Sequence, residues 1–237
     1  MRESIIEAKN LSYTYPDGVK AIDDVSFRIG YGDSVGIVGA NGAGKSTLLL
    51  LMLGVILPSE GEILVEGLKV EKKNLPEIRQ AIGMIFQDPD DQLFMGTVYE
   101  DCAFGPRNYG LDEPEVEKRV CAALEAVGIS HLKERSPLRL SGGEKRAAAI
   151  ATALAMNPKI LAMDEPTALL DPRSRRRFIG QINALGFTKI IASHDLAMIL
   201  DTCKKTIVLK NGRIAAAGPT RGLLLDEKLM KDCLLLT

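Results

Sequence analysis

The sequence predicts an α/β fold with a largely parallel main sheet, an antiparallel β region at the N-terminus and an inserted α-helical subdomain. In the first and last parts of the chain, short apolar runs alternate with helical segments, and strands separated by helices pair in parallel. Between these parts the pattern is helical from about residue 97 to 157. We predict a single domain over residues 1–237, comprising a core of about 1–90 and 158–218, a helical subdomain of about 91–157 and a short C-terminal helical tail of about 219–237.

The individual elements are predicted from local patterns. Residues 5–11 and 25–29 are of strand type and flank Pro16-Asp17-Gly18, a strong turn signal. Thr97-Val98-Tyr99-Glu100 resembles a capping box that opens the helical part, and a second helical repeat covers 113–127. Further strands are predicted over 62–65, 82–86, 160–163, 189–192 and 206–209.

Composition narrows the class of protein. The 237 residues are 46% hydrophobic and carry a formal charge of −1, which allows a sizeable core but offers no basic surface for nucleic acid. The longest apolar run, over 48–57, is too short for a bilayer, and no charged-then-apolar leader opens the chain, so we expect a cytosolic protein. The four cysteines lack metal-ligand spacing and are expected to be reduced small hydrophobic residues: Cys102, Cys121, Cys203 and Cys233.

Residues 39–47, Gly-Ala-Asn-Gly-Ala-Gly-Lys-Ser-Thr, fit the phosphate-binding pattern G-x-x-x-x-G-K-S/T. A strand-type run precedes them and a helical run follows, so backbone N–H groups and the positive end of a helix dipole converge on one point. An ordinary glycine turn is the alternative, which the Lys-Ser pair and both flanks disfavour. We predict a P-loop NTPase (RecA-like) core in which Lys45 reaches the β- and γ-phosphates and Ser46 binds Mg²⁺. The nucleotide-binding residues predicted in this loop are Gly39, Asn41, Gly42, Gly44, Lys45, Ser46 and Thr47.

Two adjacent carboxylates end a predicted buried strand over 160–163. In P-loop proteins an Asp at this position holds Mg²⁺, and neighbours on a strand point in different directions. We therefore predict that Asp164 is a metal ligand and that Glu165 is the general base that activates water. A solvated acidic pair at a strand end is the alternative.

Residues 140–144, Leu-Ser-Gly-Gly-Glu, open an alanine-rich helix with a capping-box pattern, and the helix start offers a second anion site. Alone, this pattern would indicate only a capped helix. The motifs follow one another in the order phosphate loop, glutamine, Leu-Ser-Gly-Gly, Asp-Glu and histidine, and they span nearly the whole chain. In this order they resemble those of the nucleotide-binding subunit of ATP-binding cassette (ABC) proteins, which implies an ATPase that uses ATP and Mg²⁺.

The resemblance also implies a second ATPase chain as partner. One chain has one phosphate loop and one Leu-Ser-Gly-Gly motif, so a head-to-tail dimer with two shared ATP sites is implied. Each ATP then lies between Lys45 of one chain and Ser141, Gly142 and Gly143 of the other. Whether the two chains are identical stays open. The family often carries an arginine where this chain has Ala147, so we expect any contact from that arginine to be shifted or lost.

Four further positions match the family's pattern. Tyr15 matches the aromatic residue that stacks on adenine, with a core tyrosine as the alternative. Gln87 matches the glutamine that touches Mg²⁺ and the attacking water, with a surface glutamine as the alternative. Asp171 matches the loop that crosses the dimer interface, and a helix N-cap before Pro172 is compatible with this role. His194 matches the histidine that contacts the γ-phosphate.

Residues 86–94, Phe-Gln-Asp-Pro-Asp-Asp-Gln-Leu-Phe, look like a stretch of the energy-coupling-factor ATPases, which power uptake of vitamins and of cobalt or nickel ions. In this reading Gln92 senses the nucleotide state or contacts a membrane partner, and a plain surface glutamine is the alternative. The neighbouring apolar residues either pack within the helical part or receive a helix of a membrane subunit: Leu93, Phe94, Met95, Val98, Tyr99 and Phe104.

The resemblance therefore implies the ATP-hydrolysing subunit of a membrane import complex. Its expected partners are integral-membrane transport subunits and a second ATPase chain, without nucleic acid, and its expected location is the cytoplasmic face of the cell membrane. The alternatives are a soluble ABC ATPase without a membrane partner, an exporter, and a regulatory subunit with inactive sites. The lack of a coiled-coil insertion, a second cassette or a fused membrane segment disfavours the first two, and the complete set of catalytic motifs disfavours the third.

Overall fold

A computed structural model of the chain describes residues 4–168, 170–233 and 235. The strands within these residues are β1 (Ser4–Thr14), β2 (Lys20–Gly30), β3 (Ser34–Val38), β4 (Glu60–Val65), β5 (Leu68–Lys69), β6 (Ile82–Ile85), β7 (Ile160–Asp164), β8 (Thr188–Ala192), β9 (Lys205–Lys210) and β10 (Arg213–Pro219). The α-helices are α1 (Lys45–Met52), α2 (Leu75–Ala81), α3 (Val98–Asn108), α4 (Glu113–Ala126), α5 (Gly142–Ala155), α6 (Pro172–Ala184), α7 (Leu196–Thr202), α8 (Thr220–Leu224) and α9 (Glu227–Asp232).

The main sheet confirms the predicted parallel core. Its strand order is β10-β9-β3-β8-β7-β6, and every pair from β9 to β6 is parallel. Only the edge strand β10 runs antiparallel, to β9. Because β3, β6, β7 and β8 are parallel, the segments that follow them meet at one edge of the sheet, where ligands bind in open α/β sheets.

The predicted antiparallel region is a second sheet with the order β2-β1-β4-β5. Its inner face packs on α1 and forms one hydrophobic core with the near side of the main sheet, including Ile22, Leu48 and Ile190. A second core lies on the other side of the main sheet and includes Val120, Ile150 and Met198. The main sheet is therefore covered on both faces, as its continuous apolar strands predict.

The helical part contains α3, α4 and α5, which fall within the predicted stretch of 97–157. Thr97 caps α3 by accepting the backbone N–H of Glu100 at 3.2 Å. Helix α5 is rich in alanine, and most of its residues are buried. The predicted C-terminal tail contains α8 and α9, and its residues 234, 236 and 237 lie outside the described part of the chain.

Among the strands and α-helices given above, three were not predicted. Strand β10 consists largely of alanine and glycine, which are depleted in strands, so its composition conceals it. Strand β5 has only two residues, and α2 has seven with a proline in its first turn, so neither shows a full period of its pattern. The predicted strand over 82–86 ends one residue early, at Ile85.

Three of the four cysteines are buried, as predicted, but Cys121 is exposed on α4. Burial raises the pKa of the Cys203 thiol to about 11 and also raises that of Cys102. The pKa of Cys121 is raised as well, by partial burial and by the hydrogen bond to Glu117. In the described part of the chain, no helix has the length and apolar character that crossing a bilayer requires.

Candidate nucleotide-binding site

The phosphate loop connects β3 to α1 and is shaped by glycines. Gly44, at the N-cap of α1, has φ of 104°, and an added Cβ would lie 2.5 Å from the carbonyl oxygen of Ala21. Only glycine adopts this conformation without strain and fits this space. Helix α1 has no side-chain cap and no acidic residue in its first turn. Its first N–H groups are therefore left for an anionic ligand.

Lys45 is buried with 7% of its surface exposed. Its Nζ donates to the carbonyl oxygens of Gly39 at 2.9 Å and Ala40 at 3.3 Å, and it lies 3.7 Å from Oε1 of Glu165. A buried ammonium needs such partners, because desolvation without them is costly. The lysine is thus held by its own loop next to the start of α1.

The loop forms one wall of a cavity of about 630 Å³. Tyr15, Gln87 and His194 line the same cavity, together with Asn41, Gly42, Gly44, Lys45, Ser46, Thr47 and Glu165. Tyr15 is half-buried rather than part of the core, and its hydroxyl lies 3.0 Å from Oγ1 of Thr47. The structure therefore brings these predicted residues together, although Tyr15 and Glu165 lie far apart in the chain.

Asp164 ends β7 beside Ser46. Burial raises the pKa of the Asp164 carboxyl, and the hydrogen bond from Ser46 opposes this effect. Its Oδ1 is buried and has no hydrogen-bond partner among the described residues. A buried carboxylate oxygen without a partner, next to a hydroxyl, suits a hard cation that prefers oxygen ligands. The donor set of Ser46, Asp164 and the Gln87 amide therefore fits Mg²⁺.

Glu165 follows the strand with a left-handed backbone conformation, φ 41°. The residue is 8% exposed, and its carboxylate accepts hydrogen bonds from Oγ of Ser193 at 2.8 Å and from the backbone N–H of His194 at 3.0 Å. Nδ1 of His194 lies 2.8 Å from Oε1 of Glu165. As predicted, Asp164 and Glu165 point to different partners, Ser46 for the first and Ser193 with His194 for the second. The predicted cause, alternation along a strand, is wrong, because the strand ends at Asp164.

The segment carrying His194 is fixed by residues that sequence reasoning missed. Ser193 is fully buried, and its Oγ accepts the backbone N–H of Asp195 at 3.0 Å. Asp195 in turn accepts a two-pronged pair of hydrogen bonds from Arg175 on α6, at 2.8 and 3.0 Å. Such bidentate pairs fix geometry as well as charge. In the sequence, only the Ser-His-Asp run could have pointed to these supporting residues. Arg175 could not be linked to them, because it lies 20 positions away in the chain.

Gln87 is exposed at the rim of the cavity, and its backbone is held by Arg146 of α5. The guanidinium donates to the carbonyl oxygens of Phe86 and Gln87, both at 2.8 Å. Of the two outcomes expected for the arginine contact near Ala147, shifted or lost, the structure agrees with a shift: Arg146, one position earlier, makes these contacts. The reading of Gln92 as a plain surface residue is also wrong, because it is half-buried and its side chain bonds to α5.

The Leu-Ser-Gly-Gly motif lies outside the cavity of Lys45. Ser141 caps α5 in a complete capping box: its Oγ accepts the backbone N–H of Glu144 at 3.4 Å, and its own N–H donates to Oε2 of Glu144 at 2.8 Å. Ser141 and Gly143 line a separate cavity of about 210 Å³ beside Ser174 of α6. A Cβ at Gly142 would meet nothing within 4 Å. Within one chain, the structure does not bring these residues to the phosphate loop.

Asp171 caps α6. Its Oδ1 accepts the backbone N–H groups of Arg173 at 2.8 Å and Ser174 at 3.1 Å. The hydrogen bond of the Ser174 hydroxyl, followed by these backbone hydrogen bonds, lowers the pKa of Asp171. The predicted N-cap is confirmed. The carboxylate is exposed, so a role at an interface is compatible with it.

A family model described as ABC transporter matches residues 22–168, which is more than half of the chain. The chain belongs to the ABC transporter family. As a member of that family it is an ATPase that binds ATP, and its fold is that of a P-loop NTPase. The match includes the phosphate loop, the Leu-Ser-Gly-Gly motif and the Asp-Glu pair.

Individual relatives of this ABC ATPase agree with the family. The energy-coupling factor transporter ATP-binding protein EcfA of Methanothermobacter thermautotrophicus is 44% identical over 96% of this chain and 75% of the relative. The solved structure of CbiO1 from Clostridium perfringens, part of the ABC transporter complex CbiONQ, superposes with a TM-score of 0.87 at 38% identity, covering 98% of this chain and 94% of that one. The ATP-binding cassette MJ0796, in a dimeric post-hydrolysis state bound to ADP and Pi, gives a TM-score of 0.82 at 28% identity, covering 92% and 99%.

Proposed function

We propose that this ABC ATPase powers a membrane import complex of the energy-coupling-factor type, at the cytoplasmic face of the membrane, for a vitamin or a transition-metal ion such as cobalt or nickel. The observation that carries the proposal is an exposed aromatic pair in the segment that follows Gln87. Relatives named EcfA and CbiO support the same reading.

The aromatic pair consists of Phe94 and Phe104. Their side chains are 62% and 42% exposed, and their rings meet edge to face with centroids 5.0 Å apart. By contrast, Leu93 and Val98 are buried, so these two members of the predicted apolar cluster belong to the core. Two large aromatic side chains exposed together are typical of a partner-binding surface.

Asp101 holds this surface in shape. Its Oδ1 accepts the backbone N–H groups of Phe94 and Met95, both at 2.9 Å, and the residue is 5% exposed. Burial raises the pKa of the Asp101 carboxyl, and the hydrogen bonds from the backbone of Met95 and Phe94 oppose this effect. The Phe94 backbone is thus fixed in place and presents its ring as a preformed contact for a helix of an integral-membrane subunit.

The cavity residues supply the ATPase chemistry in this proposal. Tyr15 stacks on adenine, Lys45 and the N–H groups of the loop bind the phosphates, and Asp171 contacts the partner chain. Ser46, Asp164 and Gln87 hold Mg²⁺, which neutralises phosphate charge when bound. Ser141, Gly142 and Gly143 of a second ATPase chain close the site from the other side.

Hydrolysis is assigned to Glu165 and His194. Glu165 accepts a proton from water as the water oxygen attacks the γ-phosphorus, the bond to the β-phosphate oxygen breaks, and ADP and phosphate leave. His194 contacts the γ-phosphate and orients the carboxylate of Glu165. Closure of the dimer around ATP moves the surface of Phe94 and Phe104, and reopening follows hydrolysis.

The general-base role is tested by Glu165→Gln. We expect this variant to bind ATP and to dimerise, with hydrolysis slowed by about 10²- to 10⁴-fold. Phosphate release and size-exclusion chromatography with Mg²⁺-ATP measure the two properties. Hydrolysis near the wild-type rate would remove Glu165 from the role of base.

The import role is tested by purifying the tagged chain from gently solubilised membranes of its own host. We expect a multi-helix membrane protein and a substrate-binding membrane subunit to co-purify, which also identifies the solute and any second ATPase. The variant Phe94→Asp should lose them while keeping ATPase activity, whereas Val55→Asp, at another exposed apolar position, should keep them. Recovery with cytosolic partners alone would favour a soluble ABC ATPase.

A further inference from the structure

Arg146 is a charged residue that is almost completely buried. Only 3% of its surface is exposed, and its Nε has no hydrogen-bond partner among the described residues. Its two terminal nitrogens donate to the carbonyl oxygens of Phe86 and Gln87 at 2.8 Å, and no carboxylate forms an ion pair with it in the described part of the chain. Burial lowers the pKa of the Arg146 guanidinium, and the charge of Asp88 opposes this effect only in part, so the buried cation carries a net desolvation cost.

Gln92 holds the same stretch of backbone from a second side. Its Nε2 donates to the Ala149 carbonyl at 2.8 Å and to Oγ1 of Thr152 at 2.6 Å, both on α5, and its Oε1 accepts the N–H of Phe86 at 3.2 Å. Together the two side chains bind three backbone groups of Phe86 and Gln87 to one helix. The ion pair of Lys145 with Asp90 adds little, because such a pair at the surface is screened by solvent.

The backbone of Gln87 is held in place, whereas its side chain is exposed to solvent. The backbone at residues 86 and 87 is anchored by Arg146 and Gln92, while the side chain of Gln87 is exposed and lines the cavity of Lys45. Catalytic groups lose much of their effect when they are displaced by about 1 Å. A residue that binds a metal ion or water needs a fixed backbone, so that its side chain starts from the right place, and a side chain that can reach the ligand. Gln87 has both.

We propose that Arg146 and Gln92 are positioning residues for Gln87, which they hold on α5 so that its amide reaches the Mg²⁺ and water of the ATP site. This inference rests on the role given to Gln87 in the proposed function. Residues 86–92 and α5 then move as one unit. The burial of Arg146 costs stability, and what it provides in return is the position of Gln87.

The first test is hydrogen exchange in the ligand-free chain. We expect Arg146→Met to accelerate amide exchange in peptides covering residues 84–92, because the two carbonyl contacts are lost. Arg79→Met is the matched control, since Arg79 also donates to two carbonyls, those of Leu53 and Gly54. It should leave exchange over 84–92 and the hydrolysis rate unchanged. Unchanged exchange over 84–92 in Arg146→Met would overturn the anchoring.

The second test is a double-mutant cycle on ATP hydrolysis with Arg146→Met, Gln87→Ala and their combination. We expect Arg146→Met to lower kcat about tenfold with ATP affinity within about threefold, Arg146→Lys to restore part of the loss, and Arg146→Met to add nothing once Gln87 is alanine. A lower melting temperature with unchanged kcat would mean that Arg146 is merely structural. If Arg146→Met does not fold, Gln92→Met removes the other anchor without removing a buried charge, and it enters the same cycle.

The two ways of failing are distinct. If Gln87→Ala lowers kcat and the Arg146→Met loss multiplies with it, Arg146 acts independently of Gln87 and the positioning role is overturned. If Gln87→Ala hydrolyses ATP at the wild-type rate, the role of Gln87 in the proposed function fails, and the positioning role fails with it.

Discussion

The two helix starts that carry glycine motifs, at Lys45 and at Ser141, use the same backbone geometry in opposite ways. Helix α1 begins without a side-chain cap or an acidic residue in its first turn, so no side chain of the described residues caps its first N–H groups. Helix α5 begins with a complete capping box in which Ser141 and Glu144 satisfy each other. A good N-cap contributes about 1 kcal/mol, so α1 forgoes stability that α5 keeps.

The surroundings show the same contrast. Lys45 is buried in a cavity whose walls come from distant parts of the chain, whereas Ser141 is exposed beside a smaller cavity. The first site is thus assembled within one chain around a place for an anion. The second is a helix end whose capping groups are supplied by its own side chains, and in the proposed dimer it meets the ATP that the other chain binds.

Removal of Lys45 is the strongest way to break the first site. Lys45→Ala should weaken ATP binding by about 100-fold or more, since a charge-assisted contact to phosphate is lost and about 1.4 kcal/mol corresponds to a factor of ten. Titration calorimetry with ATP measures the effect, and Lys72→Ala, at an exposed position, is the control. Tight binding by Lys45→Ala would contradict the assignment of the phosphate loop.

Alanine in place of the motif glycines separates the two helix starts. Gly44→Ala should lower the free energy of unfolding by about 1–3 kcal/mol, because φ is positive and the added Cβ meets the Ala21 carbonyl. Gly142→Ala has open space and should raise it by about 0.4–1 kcal/mol. Urea unfolding of the ligand-free variants measures both values. Equal changes in the free energy of unfolding for the two variants would contradict the difference proposed between the two helix starts.

A smaller change tests the second helix start. Ser141→Ala should reduce ATP hydrolysis about tenfold while the isolated chain keeps its ATP affinity, because the serine serves the site of the other chain in the proposed dimer. The same variant should lose about 1 kcal/mol of stability as its cap is removed. Asp112→Ala, which removes the cap of α4, is matched in stability and should hydrolyse normally. A fall in the ATP affinity of the monomer would show that Ser141 serves its own chain.

Glu144→Gln should have the smallest effect and the opposite sign. Glutamine also completes a capping box, so stability is kept, while a negative charge beside the anion site is removed. The pKa of Glu144 is lowered by its hydrogen bonds with Ser141, so this carboxylate is charged at neutral pH. ATP-dependent dimerisation should tighten about threefold, the size of a modest exposed charge effect. Analytical ultracentrifugation measures it, and weaker dimerisation would contradict the charge argument.

Much of the site could be predicted because its residues lie in contiguous motifs. Lys45, Ser46 and Glu165 follow strands whose apolar runs were visible in the sequence, and parallel pairing brings the ends of those strands together. The strand and helix alternation likewise predicted the main sheet. These inferences needed only local spacing and one topological rule.

The residues that support the site could not be predicted in this way. Arg146 contacts Gln87 from 59 positions away, and Arg175 contacts Asp195 from 20 positions away. Nothing in local spacing selects these arginines from the many on predicted helices. The conformation of Glu165 was missed for a related reason, because the exact end of β7 depends on the neighbouring strand.

The exposed thiol of Cys121 gives this protein a natural reporter. The other three cysteines are buried, and Cys121 lies on α4 in the helical part that also carries α5. Burial and Glu117 raise its pKa, so labelling with a maleimide dye calls for mildly alkaline buffer. One dye per chain then marks the helical part without any substitution. In a dimer of identical chains, the distance between two such dyes follows opening and closure in real time.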